Sequence, residues 1–427
     1  MPNSASISTS DRVVFEVPRT AGGHPRTIIG LLIAVAVGGA TWAGVATAIH
    51  QPRDAVLASL RPAPPPRPPL VIVQDLPRLA ERLDRSAASR GFMGAVLVAR
   101  GDRVLFRQVY GKANYETDQP LALDSRFRLA SISKQFTAAA ILKLQDEGRL
   151  TIGDPVCKWI QPCPEAWAPV RIHHLLSHTS GIPDLMARGA WGLRRVTPAT
   201  LDELTEDSKA FRLQFEPGSK VRYNNAGFNL AAAIVEKASG QPFDVYMRQA
   251  FFQPLGMKDT GLDLDGGNHD VIMGYANFPG GLAAQPNANT SIVAGAGAVY
   301  STLDDLLVWQ RALHRGELLT PFSYQQMLTD HSPADTPKER GREHRDWGYG
   351  IFSKRLGQQV KPSFEDRQIY HTGSWGGFRN LMLYQPEADV SVIVLSNNYH
   401  LRDQVFLIAE QAMAEALGRE FPTQLDR

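Results

Sequence analysis

Strand-like segments lie near both ends of this chain and helical ones fill the space between, a placement that constrains the fold more than any other feature. Gly94 to Arg100 and Val104 to Tyr110 read as strands joined through Gly101-Asp102-Arg103 as a hairpin. Gln368 to Thr372, Phe378 to Tyr384 and Val390 to Ser396 read as three more, followed by a terminal helix from about Arg402 to Leu417. Ahead of the first strand, Leu76, Leu79, Ala80, Leu83 and Ala87 mark an amphipathic helix over Leu76 to Arg90. The middle is punctuated as helix. Ser131 to Gly148 presents Phe136, Ala140, Ile141 and Leu144 as a packing face, Ala226 to Gly240 ends in glycine, and Thr302 with Asp305 caps a third helix running to about Gly316. The expected class is therefore α+β: one antiparallel sheet built from the N- and C-terminal segments, flanked by helices, with a mostly helical insertion. No internal repeat is present.

The chain divides before that region. Residues 1–26 form an N-terminal tail, and Thr27 to Ile49 is a run of 23 residues without a charge. Such a run is long enough to cross about 30 Å of hydrocarbon as a helix. A cleaved secretory signal competes, since Ala46-Thr47-Ala48 fits a small-residue cleavage site. A buried core helix is disfavoured because nothing amphipathic interrupts the run. Residues 50–70 are a linker whose Arg61 to Leu70 portion is proline-rich, a stiff spacer of roughly 3 Å per residue. Residues 71–427 are then the main folded domain, expected on the periplasmic or extracytoplasmic side of a membrane to which the N-terminal helix would anchor it. Arg12, Arg19 and Arg26 before the span and Arg53, Arg61 and Arg67 after it leave its orientation unassigned by charge.

A formal net charge of +2 with no like-charged run gives no reason to expect nucleic acid as a partner. Cys157 and Cys163 are the only cysteines. Six positions apart, they are either a disulfide closing a small loop in an oxidising compartment or two reduced thiols. They make no zinc site without further ligands at finger spacing. His174 and His178 stand four apart, but no glutamate follows His174 as in His-Glu-x-x-His, so no metal is expected there. No cofactor is implied.

Ser131-Ile132-Ser133-Lys134 carries the chemistry. Residues three apart on a helix share a face, so Lys134 is placed to take the Ser131 proton. For that its pKa must fall by roughly 2–3 units, about 3–4 kcal/mol of differential stabilisation. Tyr223-Asn224-Asn225 follows the turn Phe215-Glu216-Pro217-Gly218 and offers a proton shuttle and an amide for substrate. A nearby ammonium is expected to lower the Tyr223 pKa. His371-Thr372-Gly373-Ser374 ends a strand; Gly373 is expected to let substrate lie against the strand edge. The amides of Ser374 and Ser131 are expected to form an oxyanion hole. No Gly-x-Ser-x-Gly elbow occurs, which excludes the α/β-hydrolase arrangement.

In this order and spacing, with Tyr-x-Asn about 90 residues after Ser-x-x-Lys and His-Thr-Gly about 150 further on, the chain resembles the serine beta-lactamase and penicillin-binding-protein superfamily. The likeness is to its class C-like branch of carboxypeptidases, D-aminopeptidases and beta-lactamase-like esterases. His174-Leu175-Leu176-Ser177-His178-Thr179-Ser180-Gly181, Pro254-Leu255-Gly256-Met257 and Gly295-Ala296-Gly297 add to it. The resemblance implies a beta-lactamase/transpeptidase-like fold and acylation of Ser131. Lys134 and Tyr223 would share acid and base work, Asn225 would bind the substrate amide, and Thr372, Gly373 and Ser374 would line the substrate site. The expected partner is a small molecule or short peptide, with cell-wall peptides among the candidates, cleaved at an amide or ester. A membrane-tethered penicillin-binding sensor that is acylated but barely turns over is the alternative. Many lactamases carry lysine where His371 stands. Histidine is mostly neutral at pH 7, so weak beta-lactamase activity at most is expected, with Arg379 as the substitute cation.

Overall fold

The computed structural model describes residues 70–89, 91–187, 197–265, 267, 269–285, 289–336, 344–357, 364–365 and 367–421. The expected tail, membrane segment and nearly all of the linker lie outside the described residues, among which no helix is long and apolar enough to cross a membrane.

The expected strands from the two chain ends meet in one eight-stranded sheet. In chain order its elements are β1 (Val71–Ile72), helix α1 (Pro77–Ala88), β2 (Gly94–Arg100) and β3 (Arg103–Tyr110). The helical middle contributes α2 (Ser133–Asp146), α3 (Ala226–Ser239) and α4 (Leu303–His314). The chain then returns through β4 (Asp346–Trp347), β5 (Phe352–Lys354), β6 (Gln368–Trp375), β7 (Phe378–Gln385) and β8 (Val390–Ser396), and ends in α5 (Arg402–Ala416). The sheet order is β1-β3-β2-β8-β7-β6-β5-β4. β8 pairs antiparallel with β2 across the chain ends, Ile393 opposite Leu97.

One strand departs from the expected wholly antiparallel sheet. β1 runs parallel to β3, with Val71 opposite Arg103. Its amides take carbonyls that β3 leaves free on its outer edge, Val71 N–H to Asp102 O at 3.1 Å and Val73 N–H to Val104 O at 3.0 Å. The sheet is therefore mixed.

Both faces of the central strands are covered, which is why β8 reads Val-Ser-Val-Ile-Val-Leu-Ser with little polar alternation. Val96, Val98, Val392 and Val394 point to the face covered by α1 and α5, against Leu79, Leu83, Val405, Ile408 and Met413. Leu97, Ile393 and Leu395 point to the opposite face, toward Ile132, Phe136 and Trp309 of the helical layer. Period-two alternation thus divides one apolar strand between two cores. Start and stop signals act as expected: Pro77 opens α1, the Thr302 hydroxyl caps α4 by accepting from Asp305 N–H at 3.3 Å, and Gly240 closes α3 at φ +69°. Cys157 and Cys163 are disulfide-bonded, Cα atoms 5.3 Å apart.

Candidate active site

Ser131 stands in a 3₁₀ turn, Ala130–Ile132, and α2 begins at Ser133, two residues later than the start at Ser131 that the pattern suggested. Ala130 has φ +51°, a left-handed conformation that costs a non-glycine residue roughly 1–3 kcal/mol. Surrounding bonds fix it. Leu129 N–H donates to Val299 O at 2.9 Å, Val299 N–H to Ser133 Oγ at 3.0 Å, and the Asn380 amide to Arg128 O at 2.8 Å.

Gly373 completes the clamp, and its role differs from the one expected. A Cβ built there would lie 2.0 Å from the Leu129 carbonyl oxygen. The glycine therefore admits the turn that carries Ser131 against β6; it is not among the residues lining the cavity.

Lys134 is fully buried, and its Nζ meets three oxygens. These are Ser131 Oγ at 3.1 Å, Asn225 Oδ1 at 2.8 Å and the Ala296 carbonyl at 3.0 Å. Burial lowers its pKa to about 7, with the carboxylate of Asp184 pulling the other way. At that value about half the lysines are neutral at pH 7. A neutral amine has two N–H donors and one lone pair. Two of the oxygens accept only, so the donors go to Asn225 and Ala296, and the lone pair is left for the Ser131 hydroxyl.

Tyr223 packs its ring under Nζ, 4.8 Å from centroid to nitrogen. Its pKa is raised, opposite to the expected direction. Burial of the phenol, helped by the charge of Asp184, outweighs the hydrogen bond with Ser131 and the charge of Arg345. Tyr223 is a neutral phenol that can give a proton. His178 stacks on it at 4.5 Å and 27°, with Nδ1 accepting the Asn224 N–H at 3.0 Å. His178 O and Thr179 O accept from Arg222 N–H and Gly218 N–H at 2.9 and 2.8 Å. The histidine-rich stretch thus braces the Tyr-Asn-Asn segment.

His371 is buried, and its pKa is pushed down to about 3, first by burial and then by the Lys134 charge. Nδ1 lies 2.7 Å from the Thr372 carbonyl, so the proton sits on Nδ1. Nε2 is buried without a hydrogen-bond partner among the described residues.

Arg379 does not supply the substitute cation. Its Nε donates to Tyr399 O at 3.3 Å and its guanidinium lies 5.0 Å over the Tyr399 ring, away from the residues lining the cavity. Antiparallel register pairs it with Ser374 on the neighbouring strand without aiming its side chain into the site. The cation at the cavity wall is Arg345, stacked 4.3 Å from the Trp347 ring and 4.4 Å from Phe352. Among the described cavity-lining residues it is the only lysine or arginine. Asp330 steadies its segment, accepting from Trp347 N–H at 3.0 Å and meeting His344 at 2.8 Å.

These groups surround a cavity of about 370 Å³. Ser131, Tyr223, Asn225, His371, Thr372 and Ser374 line it, with Trp347, Phe352 and Trp375 as an aromatic wall. The sequence reading missed Arg345, Asp184 and the Ala296 carbonyl. Arg345 lies in a run of charges that reads as solvated surface, and Asp184 follows a proline in a loop.

The Beta-lactamase family model matches residues 79–415. Esterase EstB of Burkholderia gladioli is 29% identical over 377 residues, covering 77% of this chain and 93% of that one. The D-alanyl-D-alanine-carboxypeptidase/endopeptidase AmpH of Escherichia coli strain K12 is 26% identical, covering 80% and 88%. Among solved structures, the octameric penicillin-binding protein homologue from Pyrococcus abyssi superposes with a TM-score of 0.68 at 26% identity, covering 81% of this chain and 78% of that one. With its match spanning well over half of its length, the chain belongs to the Beta-lactamase family and is a serine hydrolase of that family.

Proposed function

We propose that the protein hydrolyses amide or ester bonds of small, D-amino-acid-containing substrates through an acyl-enzyme on Ser131. The observation that carries this is the 3.1 Å contact between Ser131 Oγ and a fully buried Lys134 whose pKa is about 7. Neutral Lys134 takes the Oγ proton as Oγ attacks the substrate carbonyl carbon. The amides of Ser131 and Ser374 receive the developing oxyanion. As the intermediate collapses, the bond to the leaving group breaks, and that group takes a proton from the Tyr223 hydroxyl, which is resupplied from Lys134. Water then attacks the ester on Ser131 and gives up a proton to the same pair; the bond from the acyl carbon to Oγ breaks, the acid leaves, and that proton returns to Ser131 Oγ.

The relatives named above span an esterase and a D-alanyl-D-alanine carboxypeptidase/endopeptidase, which supports the substrate range. Arg345 favours substrates with a carboxylate, since a guanidinium held between aromatic rings binds that group in a fixed fork. A neutral His371 argues for weak beta-lactamase activity at most. We place the domain outside the cytoplasm on its proline-rich linker, a reading supported by the Cys157–Cys163 bond.

Incubation with 4-nitrophenyl butyrate followed by intact-mass measurement tests the chemistry: a butyryl adduct on wild type and none on Ser131→Ala is expected. Undiminished hydrolysis by Ser131→Ala overturns the nucleophile. Chromogenic cephalosporin turnover as fast as that of the ester overturns the substrate reading.

A further inference from the structure

Asp184 belongs to none of the motifs that lead to the site, yet it ends a chain of contacts that begins at the nucleophile. Ser131 Oγ meets Lys134 Nζ at 3.1 Å, Nζ meets Asn225 Oδ1 at 2.8 Å, and Asn225 Nδ2 donates to Asp184 Oδ2 at 2.9 Å. The loop carrying Asp184 is itself held: the Asn224 side-chain amide donates to Ile182 O, and Asp184 Oδ1 accepts from Met186 N–H at 3.3 Å.

A carboxylate only accepts, so Asp184 decides which end of the Asn225 amide faces the lysine. Nδ2 turns to Asp184 and Oδ1 is left toward Nζ. Were the amide reversed, an Asn225 N–H would face Nζ and compete with the serine hydroxyl for its lone pair. We propose that Asp184 is the positioning residue of the catalytic base: by holding the Asn225 amide in one orientation, it aims the free electron pair of Lys134 at Ser131. This rests on the reading of Ser131 as nucleophile and Lys134 as base.

The electrostatics point the same way. Lys134 is faced by Ser131 on its own turn, Tyr223 and Asn225 before α3, His178 and Asp184 on the preceding loop, and His371 on β6, with Arg345 lining the same cavity. Both histidines are held neutral by burial. Among these groups Asp184 alone is an anion, and its charge keeps the lysine pKa from falling as far as burial would take it.

Two substitutions separate the effects. Asp184→Asn keeps an acceptor for Asn225 and removes the charge; Asp184→Ala removes both. The readout is the rate at which a fluorophosphonate probe labels Ser131 of the full chain between pH 5 and 10, which needs no knowledge of the natural substrate. Asp184→Asn should reach the wild-type maximal rate within a few-fold, with its acid limb moved to lower pH by roughly one unit. Asp184→Ala should show the same displacement and a maximal rate at least tenfold lower. Thermal melts establish that each variant is folded; if Asp184→Ala is not, Asp184→Ser takes its place, its hydroxyl too short to hold Asn225. An acid limb unmoved in both variants, or Asp184→Ala labelling at the wild-type maximal rate, overturns the proposal. Labelling that persists in Ser131→Ala refutes the nucleophile reading instead, and this proposal with it.

Discussion

Lys134 Nζ lies 3.1 Å from Ser131 Oγ, and the lysine is the more constrained of the two because its surroundings set how often it is neutral. With a pKa of about 7, its unprotonated fraction rises about tenfold per pH unit below that value and levels off above it. The kcat/KM for a neutral ester should therefore climb with unit slope from pH 5 to about 7 and then flatten. Tyr223 is raised, so no alkaline fall is expected below about pH 10. Lys134→Met should lose about 10²–10⁴-fold in kcat/KM and the acid limb with it. A wild-type limb centred near pH 9 would show that the amine is not desolvated.

Gly373→Ala should damage both stability and turnover without touching substrate. The added methyl would sit 2.0 Å from the Leu129 carbonyl, a backbone atom that has no rotamer to escape by. Overpacking of this kind costs about 3 kcal/mol, and displacing the Ser131 turn by about 1 Å should lower kcat about 10²-fold. Urea unfolding and ester hydrolysis on the same preparation check both. Wild-type stability would contradict the close approach of β6 to the nucleophile turn.

That glycine also shows what a linear reading can and cannot see. Ser131, Lys134, Tyr223, Asn225 and His371 carry their chemistry in their side chains and stand in recognisable spacing, so they were legible. The strands were legible too, because β2 and β8 are runs of Val, Leu, Ile and Ala whose length and flanking turns do not suit helices. The partners that tune the site were not. The Ala296 carbonyl has no side-chain signature, Asp184 resembles any loop aspartate, and Arg345 sits among Arg342, Glu343, His344 and Asp346. The sign of the Tyr223 shift was lost for the same reason, since burial is set by the whole fold and proximity to lysine only by part of it.

Arg345 should govern which substrates bind, not how fast they react. Replacing it with glutamine removes the cation beside Trp347 and Phe352 while leaving Ser131 and Lys134 in place. For D-alanyl-D-alanine the KM should rise at least tenfold with kcat within threefold, reflecting about 1.5–3 kcal/mol of charge-assisted hydrogen bonding. For the corresponding C-terminal amide neither constant should change much. Equal losses on both would mean that Arg345 shapes the wall and recognises no carboxylate.

The same buried lysine makes stability depend on pH, with a direction fixed by its shift. In the unfolded chain its pKa returns to about 10.5, against about 7 when folded. Between those values the unfolded state binds more protons, so the lysine's contribution to stability rises with pH. Below pH 7 both states are protonated and the cost of burying the charge is complete; above pH 10.5 both are neutral and the cost is gone. Methionine at position 134 binds no proton in either state. The stability of Lys134→Met relative to wild type should therefore improve by about 2–3 kcal/mol on going from pH 9 to pH 6. The two carbonyl oxygens left without a donor, Asn225 Oδ1 and Ala296 O, shift the variant by the same amount at both pH values and cancel from the comparison. Urea unfolding of both proteins at each pH measures it, and an unchanged difference would place the lysine in a far more hydrated environment than its zero exposure indicates.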